Sequence, residues 1–144
     1  MNIKIIYETE TGTTQYVAEV IKDQLEVAGH TVHLHTIKYD GQQPSLEGMD
    51  MLLFGGPTYD DGKLEKTLRE FITVYQPDLA PYKVAVFGLG NRNYPQFCVS
   101  ADILEEWVRQ RGGNPLVAPL RVDAFPDDTS EIEAFVKSLL QAIQ

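Results

Sequence analysis

A threonine-rich segment near the amino terminus has the composition of an anion-binding loop. It follows an apolar run and reads Thr9, Glu10, Thr11, Gly12, Thr13 and Thr14. Threonine hydroxyls donate hydrogen bonds, and Gly12 lets the backbone curve closely around a ligand because it has no Cβ. A helical pattern begins directly afterwards, so its dipole and first N–H groups would converge on the same point. The segment predicts a phosphate site, although an ordinary threonine-capped turn has a similar sequence.

The charges near this loop argue against nucleotide hydrolysis. A nucleoside-triphosphate loop needs the pattern G-x-x-x-x-G-K-[S/T], in which the lysine neutralises the outer phosphates. Here the first lysine after Gly12 is Lys22, in the middle of the following helical pattern. We therefore expect a terminal phosphate and no hydrolysis.

Two further segments place an aromatic side chain just after an apolar run. One contains Pro57, Thr58, Tyr59, Asp60, Asp61 and Gly62, and the other contains Leu89, Gly90, Asn91, Asn93, Tyr94, Phe97 and Cys98. Either tyrosine alone could be an ordinary packing residue. Two aromatic rings on adjacent loops can instead enclose one planar ring. The pair predicts a site for a flat cofactor.

Alternating apolar periodicities predict the elements that position these loops. Short runs rich in Val, Ile and Leu predict strands near residues 2–7, 31–36, 50–55, 82–88 and 115–122. Four stretches have apolar residues at helical spacing, within 17–28, 64–75, 103–108 and 132–143. This alternation favours an α/β fold with a doubly wound, five-stranded parallel sheet and helices on both faces. Ligands of such sheets bind beyond the carboxyl ends of the strands, where the three loops fall.

Length and composition narrow the class of protein. The 144 residues fit a single domain, 1–144, and no apolar run approaches the ~20 residues of a membrane helix. The formal net charge of −9 disfavours nucleic acid and anionic membranes and favours partners with basic faces. The single cysteine, Cys98, fits a reducing compartment, and the first residues lead straight into a strand. We expect a cytoplasmic protein.

The loop motifs resemble those of the flavodoxin family. Residues 9–14 match its phosphate signature T-x-T-G-x-T, placed after the first strand as in that family. Residues 90–94 resemble its third-loop pattern G-D-x-x-Y, and Phe97-Cys98 matches a common continuation. The similarity spans the whole chain, and the chain lacks the insertion that is found in long-chain flavodoxins.

This resemblance implies a cofactor and a function. It implies FMN, held non-covalently with its phosphate at residues 9–14 and its isoalloxazine ring between Tyr59 and Tyr94. Backbone groups around Gly90, Asn91 and Cys98 would bind the pyrimidine edge of the ring. It also implies strand order 2-1-3-4-5. The protein would be a monomeric, low-potential one-electron carrier between an NAD(P)H-dependent reductase and acceptor proteins, with no substrate site of its own.

Two departures from the family pattern concern redox tuning. Many members have glycine where this chain has Asp60, and a peptide flip there would cost about 1 kcal/mol more for a residue with a side chain. Asn91 replaces the acidic residue of the third loop, and the cation Arg92 follows it. We expect Asp60 to weaken the stabilisation of the flavin semiquinone, and the loss of negative charge at Asn91 and Arg92 to raise the hydroquinone potential modestly.

Other constellations in the sequence have weaker chemical interpretations. His33 and His35 share a strand face, but no third metal ligand has suitable spacing. A receiver domain needs several acidic residues after the first strand, and this chain has only Glu8 there. The segment Gly88-Leu89-Gly90 lacks the third glycine of a dinucleotide-binding fingerprint. A small flavin-dependent reductase and a flavodoxin-fold module that has lost its flavin remain as alternative functions.

Overall fold

The chain alternates strands and helices along its length. The computed structural model describes residues 1–58, 65–91, 93, 97–123, 126 and 128–144. Within them the strands are β1 (Asn2–Tyr7), β2 (Thr31–Thr36), β3 (Met51–Pro57), β4 (Lys83–Gly90) and β5 (Leu120–Asp123). The helices are α1 (Thr13–Val27), α2 (Ile37–Asp40), α3 (Lys66–Val74), α4 (Val99–Gln110) and α5 (Ser130–Ala142).

The described strands form one parallel sheet. Their order is β2-β1-β3-β4-β5, so the predicted doubly wound α/β fold and the strand order implied by the resemblance are both confirmed. Tyr7 pairs with Gly55, and Pro57 pairs with Leu89. The carboxyl ends of β1, β3 and β4 therefore lie side by side at one edge of the sheet.

Two apolar cores cover the two faces of this sheet. One lies under α1 and α5 and includes Val17, Leu25 and Phe135. The other lies under α2, α3 and α4 and includes Phe71 and Trp107. The central strands β3 and β4 are buried on both faces, as expected for a parallel sheet between two helical layers. Among the described residues, no helix combines the length and hydrophobicity needed to cross a membrane.

Two elements differ from the sequence-based expectation. The fifth strand begins at Leu120, not near residue 115, and Pro115 makes only an isolated bridge to Val84. Pro115 and Pro119 have no N–H to donate, so a continuous ladder cannot run through them. The single-turn helix α2 was not predicted, because four residues are too few to show a helical period.

Candidate functional site

The threonine-rich segment forms a tight turn between β1 and α1. Gly12 is the N-cap of α1, with φ +92° and ψ −7°, a left-handed conformation that a residue with a Cβ adopts only at a cost. Its N–H donates to the Thr9 hydroxyl at 3.0 Å, and its carbonyl accepts the Tyr16 N–H at 3.0 Å. The turn is thus held by its own hydrogen bonds and presents the amino end of α1 to the sheet edge.

The amino end of α1 has the electrostatic character of an anion site. No side chain caps Gly12, and the first turn contains no acidic residue that would compete with an anion. The Thr11 and Thr13 hydroxyl oxygens lie 3.5 Å apart, and a Cβ built on Gly12 would meet nothing within 4 Å. An open space therefore borders hydroxyl groups and the positive end of a 15-residue helix.

The rest of this loop lies around the same turn. Thr14 is buried at the start of α1, whereas Glu10 is exposed. The structure therefore brings all six residues predicted from 9 to 14 to the junction of β1 and α1.

Glu8 is a buried carboxylate directly before the loop. Glu8 is only 1% exposed, and its Oε1 accepts a hydrogen bond from the Thr9 N–H at 2.9 Å. Burial raises the pKa of Glu8, and the carboxylate of Glu65 raises it further, against the lowering effect of the Thr9 N–H and of Lys38. In the sequence Glu8 counts only against a receiver pocket, as a single acid where more than one is needed. Its burial was not predicted, because burial of a residue at a strand end has no local signal.

The second loop is joined to α4 through Thr58. Thr58 donates its N–H to the Leu89 carbonyl at 2.9 Å, and its hydroxyl oxygen accepts the Ser100 N–H at 2.9 Å. The buried Ser100 hydroxyl donates to the Gly56 carbonyl at 2.9 Å. Pro57 and Thr58 are thereby fixed against the third loop. Sequence reasoning missed Ser100, whose only signal is a small polar residue in the first turn of a helix with an apolar stripe.

The third loop brings the end of β4 against the start of α4. A Cβ on Gly90 would lie 2.7 Å from the Cys98 backbone nitrogen, so only glycine permits this approach without displacement. Cys98 has φ +53° and is the one non-glycine residue with positive φ in the described chain. Its thiol lies 3.5 Å from the Gly88 carbonyl oxygen and 3.4 Å from that of Val122. The Cys98 turn is therefore a strained backbone feature at the predicted site.

The remaining described residues of this loop lie in the same place. Leu89 is buried, Asn91 and Phe97 are half-buried, and Asn93 is exposed. The Asn93 N–H donates to the Asn91 side-chain oxygen at 2.9 Å.

Several predicted site residues lie outside the described part of the chain. These are Tyr59, Asp60, Asp61, Gly62 and Tyr94, together with the departure at Arg92. The aromatic enclosure of a planar ring therefore stays a prediction. In the part of the chain that is described, no group of three His, Cys, Asp or Glu side chains could hold a metal ion.

Comparison with known proteins identifies the family. The sequence model of the flavodoxin family matches residues 5–137. The chain belongs to the flavodoxin family. It is 31% identical over 137 residues to the flavodoxin of Nitratidesulfovibrio vulgaris strain Miyazaki F, covering 90% of this chain and 92% of the relative. The structure of oxidised Flavodoxin 2 from Bacillus cereus superposes with a TM-score of 0.83 at 29% identity, over 98% of this chain and 99% of that one.

Family membership implies a flavin cofactor and electron transfer, and the described residues fit such a group. The uncapped amino end of α1, with the open side of Gly12, suits an anionic phosphate that needs N–H and hydroxyl donors. At the other end of this edge, a Cβ on Gly90 would come within 2.7 Å of the Cys98 backbone nitrogen, so the end of β4 carries no side chain where it meets the start of α4. The donors at the amino end of α1 therefore fit the phosphate of a flavin.

Proposed function

We propose that this flavodoxin is a one-electron carrier that binds FMN non-covalently, with the phosphate in the loop of residues 9–14. The observation that carries the proposal is the amino end of α1, where Gly12 at φ +92° forms an open, uncapped helix terminus beside threonine hydroxyls. Such a terminus favours anions through its dipole and its unpaired N–H groups. Hydroxyl and backbone donors then replace the lysine that this loop lacks.

The second and third loops would bind the isoalloxazine ring of the cofactor. A Cβ on Gly90 would come within 2.7 Å of the Cys98 backbone nitrogen, and Thr58 hydrogen-bonds to Leu89 beside the third loop and to Ser100 of α4. We assign Tyr59 and Tyr94 to the two faces of the ring, and backbone groups around Gly90, Asn91 and Cys98 to its pyrimidine edge. A bound flavin supplies the redox chemistry by accepting and donating single electrons. The chain's own residues bind and orient it.

The net charge of the chain affects the redox potential of a bound cofactor and the choice of protein partners. A net charge of −9 disfavours adding negative charge to a bound cofactor, which supports a low potential. The same charge supports weak, transient complexes with basic-faced proteins. A protein named sulfite reductase [NADPH] flavoprotein alpha-component, from Mannheimia succiniciproducens, matches this chain at 23% identity over 24% of its own length. This match supports an NAD(P)H-dependent reductase as the electron donor.

The absorption spectrum of the purified protein tests this function. Bound flavin should give visible bands, and the flavin released on denaturation should be FMN, neither FAD nor riboflavin. A protein that is colourless and takes up no added FMN would refute the proposal and favour a module without flavin. Steady NAD(P)H oxidation by the protein alone would refute it in favour of a small reductase.

Substitutions in the loop test the phosphate assignment. Thr11→Val and Thr13→Val remove hydroxyl donors, and each should weaken FMN binding by about ten- to hundredfold, since a hydrogen bond to a charged group contributes roughly 1.5–3 kcal/mol. Riboflavin, which has no phosphate, should bind with unchanged affinity. Thr73→Val is a matched control, because the Thr73 hydroxyl donates only to the Arg69 carbonyl within α3, at 3.0 Å. Equal losses for FMN and riboflavin would contradict the assignment.

A further inference from the structure

Arg121 reaches from β5 to the start of α4. In the sheet it pairs with Gly88 of β4. Its Nη1 donates to the Cys98 carbonyl at 3.2 Å and to Asp102 Oδ2 at 3.2 Å, and its Nη2 donates to Asp102 Oδ1. The guanidinium thus bonds a carboxylate with both of its terminal nitrogens and a backbone carbonyl with one of them.

The carbonyl that Arg121 bonds belongs to the strained residue of the third loop. Cys98 holds φ +53° and ψ +37°, a left-handed conformation that residues with a side chain rarely adopt. Its carbonyl also accepts the Ala101 N–H at 3.0 Å, and its amide nitrogen is the atom that a Cβ on Gly90 would approach to 2.7 Å. Such a conformation persists only where surrounding contacts hold it.

We propose that Arg121 is a positioning residue for the flavin site, because its fork to Asp102 and Cys98 fixes the left-handed turn that borders the ring. This inference rests on the proposed function. Asp102 lies in the first turn of α4, where a carboxylate also suits the helix dipole. The pair therefore anchors the whole amino end of α4, and with it the Cys98 amide, to β5.

The role is geometric and does not depend on the net charge of Arg121. Asp102 neutralises the guanidinium directly, and their hydrogen bond is the main reason that the pKa of Arg121 is raised. Lysine would keep the positive charge but has one nitrogen, which cannot hold the carboxylate at two points and reach the Cys98 carbonyl in the same plane. An Arg121→Lys variant therefore separates position from charge.

The experiment titrates FMN and riboflavin into the flavin-free forms of the unaltered protein and of Arg121→Lys. We expect Arg121→Lys to bind both flavins about tenfold more weakly, since the loss lies at the ring and not at the phosphate. The visible absorption and circular dichroism bands of the bound flavin should also shift. Asp102→Asn should weaken the binding of both flavins in the same way but by less. In the double variant, the loss of binding free energy should not exceed the sum of the losses in the two single variants.

The control is Arg109→Lys on the same helix. Arg109 faces Glu105 at 3.9 Å with half of its side chain exposed, so the same change there should leave both affinities and the flavin spectrum unaltered. Unchanged affinities and spectrum in Arg121→Lys would overturn the inference, even with a lowered melting temperature, because a merely structural role predicts that result. A loss for FMN alone would also overturn it. Failure of the unaltered protein to bind either flavin would overturn the proposed function as well.

Discussion

Glu8 accepts the Thr9 backbone N–H at 2.9 Å with one carboxylate oxygen, while its other oxygen is buried without a hydrogen-bond partner among the described residues. A carboxylate in this position loses hydration that the protein replaces only in part. Glu8 therefore holds the Thr9 backbone through one carboxylate oxygen, while burial of the carboxylate disfavours its charged form.

Replacing Glu8 by Gln should flatten the dependence of stability on pH. Burial raises the pKa of Glu8 above the usual 4.5, so the folded chain binds more protons than the unfolded chain between 4.5 and the raised value. The free energy of unfolding contributed by Glu8 therefore falls as pH rises through that window. Urea unfolding of the flavin-free protein from pH 4 to pH 8 measures this slope. Glu47→Gln, at an exposed position, is the control. If Glu8→Gln shows the same dependence of unfolding free energy on pH as the unaltered protein, the expectation is contradicted.

Alanine at Gly12 and at Gly29 should separate backbone strain from ligand binding. The two glycines lie at opposite ends of α1 with φ +92° and +96°, and a Cβ on either would meet nothing within 4 Å. Each substitution should lower the free energy of unfolding by about 1 kcal/mol, since the strain is the same. Only Gly12→Ala should weaken FMN binding, and it should leave riboflavin binding unchanged. Equal FMN affinities for the two variants would argue against a phosphate at this turn.

Local pattern predicts most of the fold because the signals lie within single elements. The apolar runs of β3 and β4 and the stripe of α5 can be recognised without any knowledge of their neighbours. The start of β5 could not be placed in this way. Leu116 donates to the Val84 carbonyl at 2.9 Å, so pairing does begin near residue 115, but the prolines interrupt it before Leu120.

In the candidate site, too, the sequence predicts contacts between residues that are close in sequence and does not predict contacts between residues that are far apart. The turn at Gly12 is formed by residues three or four positions apart, and the sequence predicts it. The bonds of Ser100 to Gly56 and of Arg121 to Cys98 join residues 44 and 23 positions apart. No spacing within one sequence indicates such contacts, and only the pairing of β4 with β5 brings Arg121 to α4.

Tyr75 should resist ionisation until strongly alkaline pH. Its hydroxyl donates to the Pro44 carbonyl at 2.8 Å, and burial raises its pKa from 10.0 to about 12. The folded state then holds the phenol proton over a range in which the unfolded chain has released it, so stability falls as pH rises from 10.0 to about 12. Tyr75→Phe should remove this contribution and lower stability at neutral pH by about 1 kcal/mol. Ultraviolet phenolate absorbance measures the ionisation, and urea unfolding at neutral pH measures the loss of stability, each with the exposed-site variant Tyr39→Phe as the control. A normal ionisation of Tyr75 in the folded protein would contradict the burial argument.

Electron exchange with a basic partner should slow as ionic strength rises. The net charge of −9 attracts a basic surface, and salt with a Debye length of about 10 Å at 0.1 M screens that attraction. Stopped-flow reduction of cytochrome c, a basic haem protein, by the reduced flavodoxin should give a rate constant that falls with added NaCl. Glu131 lies in the first turn of α5, at the carboxyl end of the sheet, whereas Glu47 precedes β3 at the opposite end. If partners dock at the flavin edge, Glu131→Gln should lower the low-salt rate constant by about twofold and Glu47→Gln should have a smaller effect. The reverse order of the two variants would place the docking surface away from the site.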